Sequence, residues 1–496
     1  MYVKRNNELI SKYKEIIKKE NFIAIVLSGA AALIFMFNSP LHPWSSEVTL
    51  IDSSVFKTVA LMMENGYMPY RDSFDHKGPF LYLLNYCGNR ISEYRGVWVI
   101  EVFTLSITFF MMYKIARLSC QKVAAVVTTL TASSLLFGYF AGGNFSEEYA
   151  MPCIAVSLYF FLDYLINEYT SRLRLVICGV SFGIVLMLRP NMIAAWIVFC
   201  TAIIIVLRKT LNTVLTLAKW FVGGMLMIII PIIFWLIINN DFYYFYMDYI
   251  SFNILYSSVE GGRATFSAKW VSFFAFFNTT VIIIAFLSNI IHLNYRKNVS
   301  ISYLIYMIMS IVLSVMSGMH YEHYGMILVP ATVWPISLIF YDIEKIKEKD
   351  IKKLLMILVS IYLLCSIVLP NWINIISSIP EKFENRNEVY RDEDIVNILN
   401  LIEEHTDETE KISVYGNWDV IYVLSHRMHA TRYSYQFPIG EVNPYIMDEY
   451  MDSLQKELPK LIVIGPDNND DNIQMFLEKN NYTSIYDSRA RLFIRE

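Results

Sequence analysis

The sequence predicts a mainly α-helical, polytopic membrane protein that ends in a soluble α/β domain. Three observations lead to this fold class. Hydrophobic residue types make up 55% of the 496 residues and charged types only 17%, whereas soluble domains carry about 25% charged residues. The apolar residues occur in blocks of membrane-spanning length. Residues 381–496 hold 23 acidic and 12 basic residues, whereas residues 1–380 hold 22 acidic and 29 basic residues. This composition argues against a disordered chain and against nucleic-acid binding.

Eleven apolar segments are candidate membrane spans, which together form a module over residues 22–380. The first follows a polar, Lys-rich segment, 1–21, and has no small-residue cleavage site after it, so we expect it to be retained. The eleven segments are 22–37, 97–113, 123–140, 149–166, 174–188, 192–207, 220–238, 270–291, 299–317, 325–341 and 353–372. The fifth and sixth are short and closely joined, as in a tight hairpin or a partly re-entrant pair.

The distribution of Lys and Arg orients these spans. With a cytoplasmic N-terminus, the inner connections hold 21 Lys and Arg and the outer connections hold eight. This bias predicts a multi-pass protein of the plasma membrane with residues 1–21 in the cytoplasm. The long first loop, 39–96, then lies outside. Eleven spans place residues 381–496 outside as well, whereas one span fewer would place them inside.

The acidic tail, 381–496, has the alternating pattern of a small α/β domain. Two short apolar runs that end in turns predict buried strands at 411–416 and 460–466, and two further strands are expected at 483–486 and 491–494. Helical periodicity predicts helices at 394–404, 447–458 and 472–479. The sequence has no glycine-rich nucleotide motif and no Cys/His metal spacing.

The first loop is far longer than a connection requires, and its apolar residues predict a helix over 53–64. Val55, Phe56 and Val59 fall on one face, so we expect this helix to lie on the membrane surface, apolar side down. Asp52 stands at its start, either as a helix N-cap or as a carboxylate at the membrane–water boundary.

Polar residues recur on the same outer face. Asp72, Asp75, His76 and Lys77 form a cluster or a solvated turn in the first loop. Glu147 and Glu148 follow in a short second loop, as surface acids or as part of a site. Transfer of a sugar from a lipid phosphate needs such a set: a carboxylate deprotonates the acceptor hydroxyl, and a cation stabilises the phosphate that leaves.

These residues also carry a family resemblance. Asp52-Ser53-Ser54-Val55-Phe56, Gly66-Tyr67-Met68-Pro69-Tyr70-Arg71-Asp72 and Asp75-His76-Lys77-Gly78-Pro79 resemble the first outer loop of bacterial GT-C glycosyltransferases. Those are polytopic relatives of protein O-mannosyltransferases and of the lipid A aminoarabinose transferase. Asn144-Phe145-Ser146-Glu147-Glu148-Tyr149 resembles their second acidic loop. The resemblance covers roughly residues 1–380.

The resemblance implies roles for individual residues. Asp52 matches the catalytic acid of the first loop, and Lys77 matches the phosphate-binding Lys of a Lys-Pro-Pro motif. Here that motif reads Lys-Gly-Pro, with Gly78 in the middle. Glu147 or Glu148 matches the second acidic position, and the sequence does not say which. The resemblance implies an inverting transfer from a polyprenyl-phosphate sugar to a glycan, lipid or protein acceptor outside the cytoplasm.

Several other residues are candidates for binding the substrate. Arg189 stands at the outer end of an apolar span, where it either snorkels to the interface or binds phosphate. Arg263 lies in a Tyr-rich third loop, which fits an aromatic belt or a lipid contact. The full candidate set for substrate and phosphate binding is Lys77, Asp72, Asp75, His76, Arg189, Arg263, His323 and Tyr324. Glu101, one turn into the second span, is expected to pair with Arg95 or Arg189 or to line the cavity.

Two other classes of function compete with the transferase. A transporter or flippase of lipid-linked saccharides needs polar residues near the midplane and related halves of the chain. A non-enzymatic protein that binds a cell-envelope polymer would use the tail and leave the first loop unexplained. The crowded His320-Tyr321-Glu322-His323-Tyr324 is compatible with a metal site, but we assign no metal ligands. No cofactor is required, although the carboxylates are compatible with a divalent cation.

Overall fold

The computed structural model describes residues 2–45, 47–48, 51–206, 210–259, 266–316, 320–385, 392–466, 468 and 470–495. Helices dominate the part before residue 386. They are α1 (Tyr2–Phe35), α2 (Ile51–Glu64), α3 (Pro79–Ile91), α4 (Gly96–Ala116), α5 (Lys122–Ser133), α6 (Leu136–Tyr139), α7 (Ser146–Asn167), α8 (Arg172–Leu188), α9 (Ala194–Val206), α10 (Leu211–Ile238), α11 (Phe242–Phe245), α12 (Phe252–Val259), α13 (Phe266–Ala275), α14 (Thr280–Ile291), α15 (Lys297–Ser314), α16 (Leu328–Lys345), α17 (Lys349–Leu363) and α18 (Leu369–Glu384).

Eight helical stretches of the described chain are long and apolar enough to cross a membrane. The bent pair α13 and α14, with an angle of 93° between its halves, makes a ninth. The other two predicted spans coincide with α8, which has 17 residues, and with the shorter α9. Each of the eleven predicted segments is therefore helical, and the protein is a multi-pass helical membrane protein. The number of full-length spans in the described chain is nine rather than the predicted eleven, because α8 and α9 are shorter than the roughly 20 residues of a full span.

The helix of the first loop is enclosed by protein, which differs from the expected surface helix. All side chains from Ser53 to Met62 are buried. Its polar face makes buried hydrogen bonds: the Lys57 ammonium donates to Asn89 at 3.1 Å, and the Thr58 hydroxyl donates to the Asp419 carbonyl at 3.3 Å. The apolar periodicity located the helix correctly, but it could not reveal that the tail covers the opposite face.

The tail forms a small α/β unit, as the sequence predicts. Its strands are β1 (Ser413–Tyr415), β2 (Leu461–Ile464), β3 (Tyr482–Asp487) and β4 (Arg491–Arg495), in the order β1-β2-β4-β3. The β1–β2 pair is parallel, with Val414 opposite Val463, and the other pairs are antiparallel. Its helices are α19 (Glu393–His405), α20 (Val420–Ser425), α21 (Ile439–Val442), α22 (Tyr445–Glu457) and α23 (Asp471–Lys479). The parallel strands β1 and β2 are fully buried.

Candidate functional site

Charged side chains from four segments lie at one end of the helical bundle. Glu147, in the first turn of α7, pairs with Arg189 at the end of α8. The Lys77 ammonium of the first loop lies 5.8 Å from the Phe56 ring of α2, the helix whose first turn contains Asp52. The helix α2 begins at Ile51, so Asp52 lies within its first turn and is half-buried.

A close backbone contact places Lys77 beside Arg189. The Gly78 amide donates to the Leu188 carbonyl at 3.1 Å. A Cβ atom at position 78 would lie 2.0 Å from the Met187 carbonyl oxygen, so only glycine permits this approach. The Lys-Gly-Pro sequence therefore reflects the packing of the first loop against α8.

Glu147 and Arg189 form an ion pair of 2.5 Å with side chains that are 4% and 22% exposed. The Arg189 guanidinium also donates to the Tyr324 hydroxyl at 2.8 Å and stacks over that ring at 4.3 Å. His323, next to Tyr324, stacks on Phe145 at 4.1 Å. Arg189 is thus held in a fixed orientation by a carboxylate and a phenol, in a manner suited to an anion-binding group.

The neighbouring acid, Glu148, points elsewhere. The carboxylates of Glu148 and Glu101 both accept a hydrogen bond from the backbone N–H of Asn144, each at 2.8 Å. Two carboxyl groups this close are most stable when they share a proton. Glu101 also accepts from Ser39 at 3.1 Å, while Arg95 donates to backbone carbonyls, so the expected pairing of Glu101 with an arginine is wrong.

Lys77 is held by His76, whose Nε2 lies 2.8 Å from the Lys77 ammonium. Burial, and then the charge of Lys77, lowers the pKa of His76 to about 3, so the ring is neutral and can accept that hydrogen bond. The His76 ring stacks on Phe252, and the His76 carbonyl accepts from Asn253 at 2.7 Å. Residues of α12 therefore fix the loop that presents Lys77.

Asp75 is buried between Tyr82 of α3 and Tyr435 of the tail. Its side chain is 1% exposed and accepts from two phenols, Tyr82 at 2.8 Å and Tyr435 at 2.9 Å. Burial, and then the nearby charge of Asp75, raises the pKa of both tyrosines well above the usual value. The hydroxyls therefore remain donors to the Asp75 carboxylate.

Asp72 belongs to a turn. It accepts from the Met68 amide and from Arg71, both at 2.7 Å. Burial opposes ionisation, but these bonds lower the pKa of Asp72 below its usual value. Arg71 in turn donates to the Asn239 carbonyl at 2.8 Å. Arg263 lies outside the described residues.

The tail supplies residues that sequence reasoning did not connect with the site. His429 lies 3.0 Å from the Ser73 hydroxyl, and Arg432 donates to the Tyr70 carbonyl at 2.8 Å. A compositional signal existed: residues 421–440 contain no acid, although the tail as a whole is strongly acidic. That stretch contains His429 and Arg432, which contact the first loop.

The two histidines of the predicted crowded loop do not converge. His320 packs edge-on against Phe276 at 4.5 Å, whereas His323 stacks on Phe145. Within the described residues, no group of three or more His, Cys, Asp or Glu side chains has an arrangement that would hold a metal ion.

Comparison with known proteins decides the family. A family model described as the N-terminal domain of the putative competence-induced protein Ccs4 matches residues 51–354. The chain belongs to this Ccs4 family. The match includes Asp52, Lys77, both second-loop acids and Arg189. A search of curated proteins gave no match.

Solved structures define the fold of this Ccs4-family chain. It is similar to ArnT from Cupriavidus metallidurans bound to undecaprenyl phosphate, with a TM-score of 0.61, 15% identity and coverage of 95% of this chain and 97% of ArnT. It is also similar to the Archaeoglobus fulgidus oligosaccharyltransferase in a complex with Zn and sulfate, with a TM-score of 0.53, 12% identity and coverage of 89% and 68%. A complex of the same archaeal enzyme, AglB, with an inhibitory peptide and a dolichol-phosphate gives a TM-score of 0.50, 14% identity and coverage of 90% and 69%. Both proteins have the GT-C fold, and so does this chain.

Proposed function

We propose that the protein is a membrane glycosyltransferase that moves a sugar from a polyprenyl-phosphate carrier to an acceptor hydroxyl. The observation that carries the proposal is the Glu147–Arg189 ion pair together with the Gly78–Leu188 backbone contact beside Lys77, in a chain with the GT-C fold whose helix α2 has Asp52 in its first turn. ArnT, which has a similar fold, was crystallised with undecaprenyl phosphate. This chain has two cations and two acids at one end of its helical bundle.

The chemistry assigns each charge a role. Asp52 takes the proton from the acceptor hydroxyl as its oxygen attacks the anomeric carbon. The bond between that carbon and the phosphate oxygen breaks, and the electron pair stays on the phosphate. Lys77 and Arg189 stabilise the negative charge that develops there. A single displacement from the face opposite the phosphate inverts the configuration of the sugar.

The ion pair makes Glu147 the second acidic residue of the proposal. Its carboxylate holds the Arg189 guanidinium, while Tyr324 holds the other edge. Preorganised cations of this kind need little rearrangement when charge develops, which lowers the barrier. Glu148 faces Glu101 and Asn144 and has a structural role in the proposal.

The substrates follow from the position of the site. Asp52 and the Lys77 loop lie at the bundle end that carries the tail, where a lipid-anchored donor presents its headgroup. The Lys and Arg bias predicts that this end lies outside the cytoplasm of the plasma membrane. The acceptor is a glycan, lipid or protein on that side. The two cations supply the charge stabilisation, so the proposal needs no divalent ion.

The test uses the full chain purified in lipid. Asp52→Asn should abolish transfer from a polyprenyl-phosphate sugar, because the amide cannot take the proton, yet undecaprenyl phosphate should bind normally. Asp452→Asn, at an exposed position of α22, is the matched control and should transfer at the wild-type rate.

A gene deletion provides the cellular form of the test. The deletion should remove one sugar from a surface glycan and cause its polyprenyl-phosphate donor to accumulate, as measured by mass spectrometry. Wild-type protein and Asp452→Asn should restore the sugar. Restoration by Asp52→Asn would refute the assignment of the general base.

A further inference from the structure

We propose that the C-terminal unit completes the donor site, with Tyr435 as a positioning residue that holds the Lys77 loop through Asp75. This inference rests on the proposed function, because it assigns the tail a role toward the donor phosphate. It goes further in giving the soluble unit a part in the site.

The first step is the clamp on Asp75. One carboxylate oxygen accepts from Tyr82 of α3 and the other from Tyr435 of the tail, at 2.8 and 2.9 Å. Asp75 is almost fully buried. The Tyr82 hydroxyl also forms hydrogen bonds with the Lys77 backbone. It accepts from the Lys77 N–H and donates to the Lys77 carbonyl, both at 3.1 Å. Asp75 and the backbone of Lys77 thus share one anchor.

The second step is the extent of the docking. Residues 429–435, which we call the docking segment, run along the first loop from Tyr70 to Asp75. The Phe74 amide donates to the Arg432 carbonyl at 2.8 Å, and His429 meets Ser73. Three consecutive residues before His76 are therefore bonded to the tail. The position of the loop depends on the docking segment along its length, not at one contact.

The third step links the docking segment to the third outer loop. The Arg432 guanidinium pairs with Asp248 at 2.5 Å, and both side chains are largely buried, with 17% and 5% exposed. Asp248 lies in the π-helical turn Tyr246–Ser251, directly before α12. Since α12 packs on His76, Arg432 ties together both segments that hold the Lys77 side chain.

A purely structural tail would predict a different outcome. Loss of Tyr435 would then lower stability without a specific effect on the donor. If Tyr435 acts through Asp75, removing either partner should weaken donor binding, and removing both should weaken it no further. The coupling between the two residues therefore separates positioning from general support.

The experiment measures the Kd for undecaprenyl phosphate with the full chain in lipid. Tyr435→Phe should raise this Kd about tenfold, the order expected for a lost hydrogen bond to a charged group. The double variant Tyr435→Phe with Asp75→Asn should match Asp75→Asn alone. Tyr450→Phe is the control, because it removes another buried tail hydroxyl, whose hydrogen bond within the described residues is to Ser413.

Amide hydrogen exchange gives a second readout. Exchange should accelerate at residues 70–77 in Tyr435→Phe and stay at the wild-type rate there in Tyr450→Phe. A Tyr435→Phe variant that binds like wild type, or whose effect adds to that of Asp75→Asn, would overturn the inference alone. A wild-type chain that does not bind undecaprenyl phosphate would instead overturn the proposed function, and this inference with it.

Discussion

The amide of Gly78 and the carbonyl of Leu188 form a hydrogen bond of 3.1 Å that joins the residue after Lys77 to the residue before Arg189. The two cations proposed to bind the donor phosphate come from segments far apart in the chain. Their separation is set by this backbone contact rather than by the flexible side chains alone. Changes at the contact should therefore affect the phosphate site.

Gly78→Ala tests this relationship. The new Cβ would lie 2.0 Å from the Met187 carbonyl, so the first loop and α8 must separate. Overpacking of this kind costs about 1–3 kcal/mol. We expect a lower Tm and at least about a tenfold higher Kd for undecaprenyl phosphate.

Gly138→Ala is the matched control, since a Cβ there meets nothing within 4 Å. It should leave both quantities unchanged or raise the Tm slightly, because alanine favours helix. Wild-type binding by Gly78→Ala would show that the contact does not set the position of Lys77.

The two acids of the second loop should behave differently when each is changed to glutamine. Glu147→Gln removes the charged partner of Arg189, and transfer should fall about 10- to 100-fold, as expected for a hydrogen bond between charged groups. Glu148→Gln resembles the protonated form and retains an acceptor for the Asn144 amide. It should reduce transfer by less than about threefold, within ordinary substitution effects. The measurement is the steady-state transfer rate of both variants. A larger loss of transfer in Glu148→Gln than in Glu147→Gln would refute the assignment of Glu147.

The two lysines of the first loop should separate stability from binding. Lys57 is fully buried and donates to Asn89, near Glu101 and Glu64. Burial lowers the pKa of Lys57 to about 8, yet the nearby carboxylates keep it mostly charged at neutral pH. Lys57→Met should therefore destabilise the fold by about 3 kcal/mol, since it leaves the buried Glu101 without a nearby cation.

Lys77→Met should give the converse result. Its ammonium lies against His76 and Phe56 in a partly exposed position. The Tm should stay near the wild-type value, while the Kd for undecaprenyl phosphate should rise at least about tenfold. Comparable losses of stability in the two methionine variants would contradict this division.

Asp419 should make stability depend on pH. Burial raises the pKa of this carboxyl to about 7, and the Ser434 hydroxyl offsets only part of the shift. In the unfolded chain the pKa is about 3.9. The folded state therefore retains a proton that the unfolded state loses between these values. The contribution of Asp419 is fully favourable below about pH 4, declines as the pH rises and levels off above about pH 7.

Asp419→Asn should flatten this dependence. Its Tm should resemble that of wild type near pH 4 and exceed it near pH 8, because the amide cannot ionise. Asp452→Asn, at an exposed site, should follow the wild-type curve. Parallel curves for Asp419→Asn and wild type between pH 5 and 8 would contradict the role of this carboxyl.

Local periodicity and composition were sufficient to predict the helices and the strands. Strands at 411–416 and 460–466 were visible as apolar runs bounded by turns, and they correspond to β1 and β2. The break in the predicted span 270–291 was not visible in the sequence. The bend of 93° between α13 and α14 depends on packing rather than on a proline between them. Short helices such as α20 carry too few residues to show a period.

The pairing of polar residues was harder to predict. Asp75 and Tyr435 are 360 positions apart, and nothing in either local sequence indicates the other. The choice between Glu147 and Glu148 depends on a helix rotation of one residue, about 100°, which the composition of the loop does not encode. Residue type and the predicted topology were sufficient to select the candidate acids and cations, but they did not indicate the partners of these residues.

The hydrogen bond between Thr58 and Asp419 spans 361 positions of the chain. The early helix α2 thus remains incompletely covered until the final fifth of the protein has been synthesised and folded. A truncated or stalled chain would lack the lid on its own first loop. Formation of the proposed donor site therefore depends on synthesis and folding of the tail.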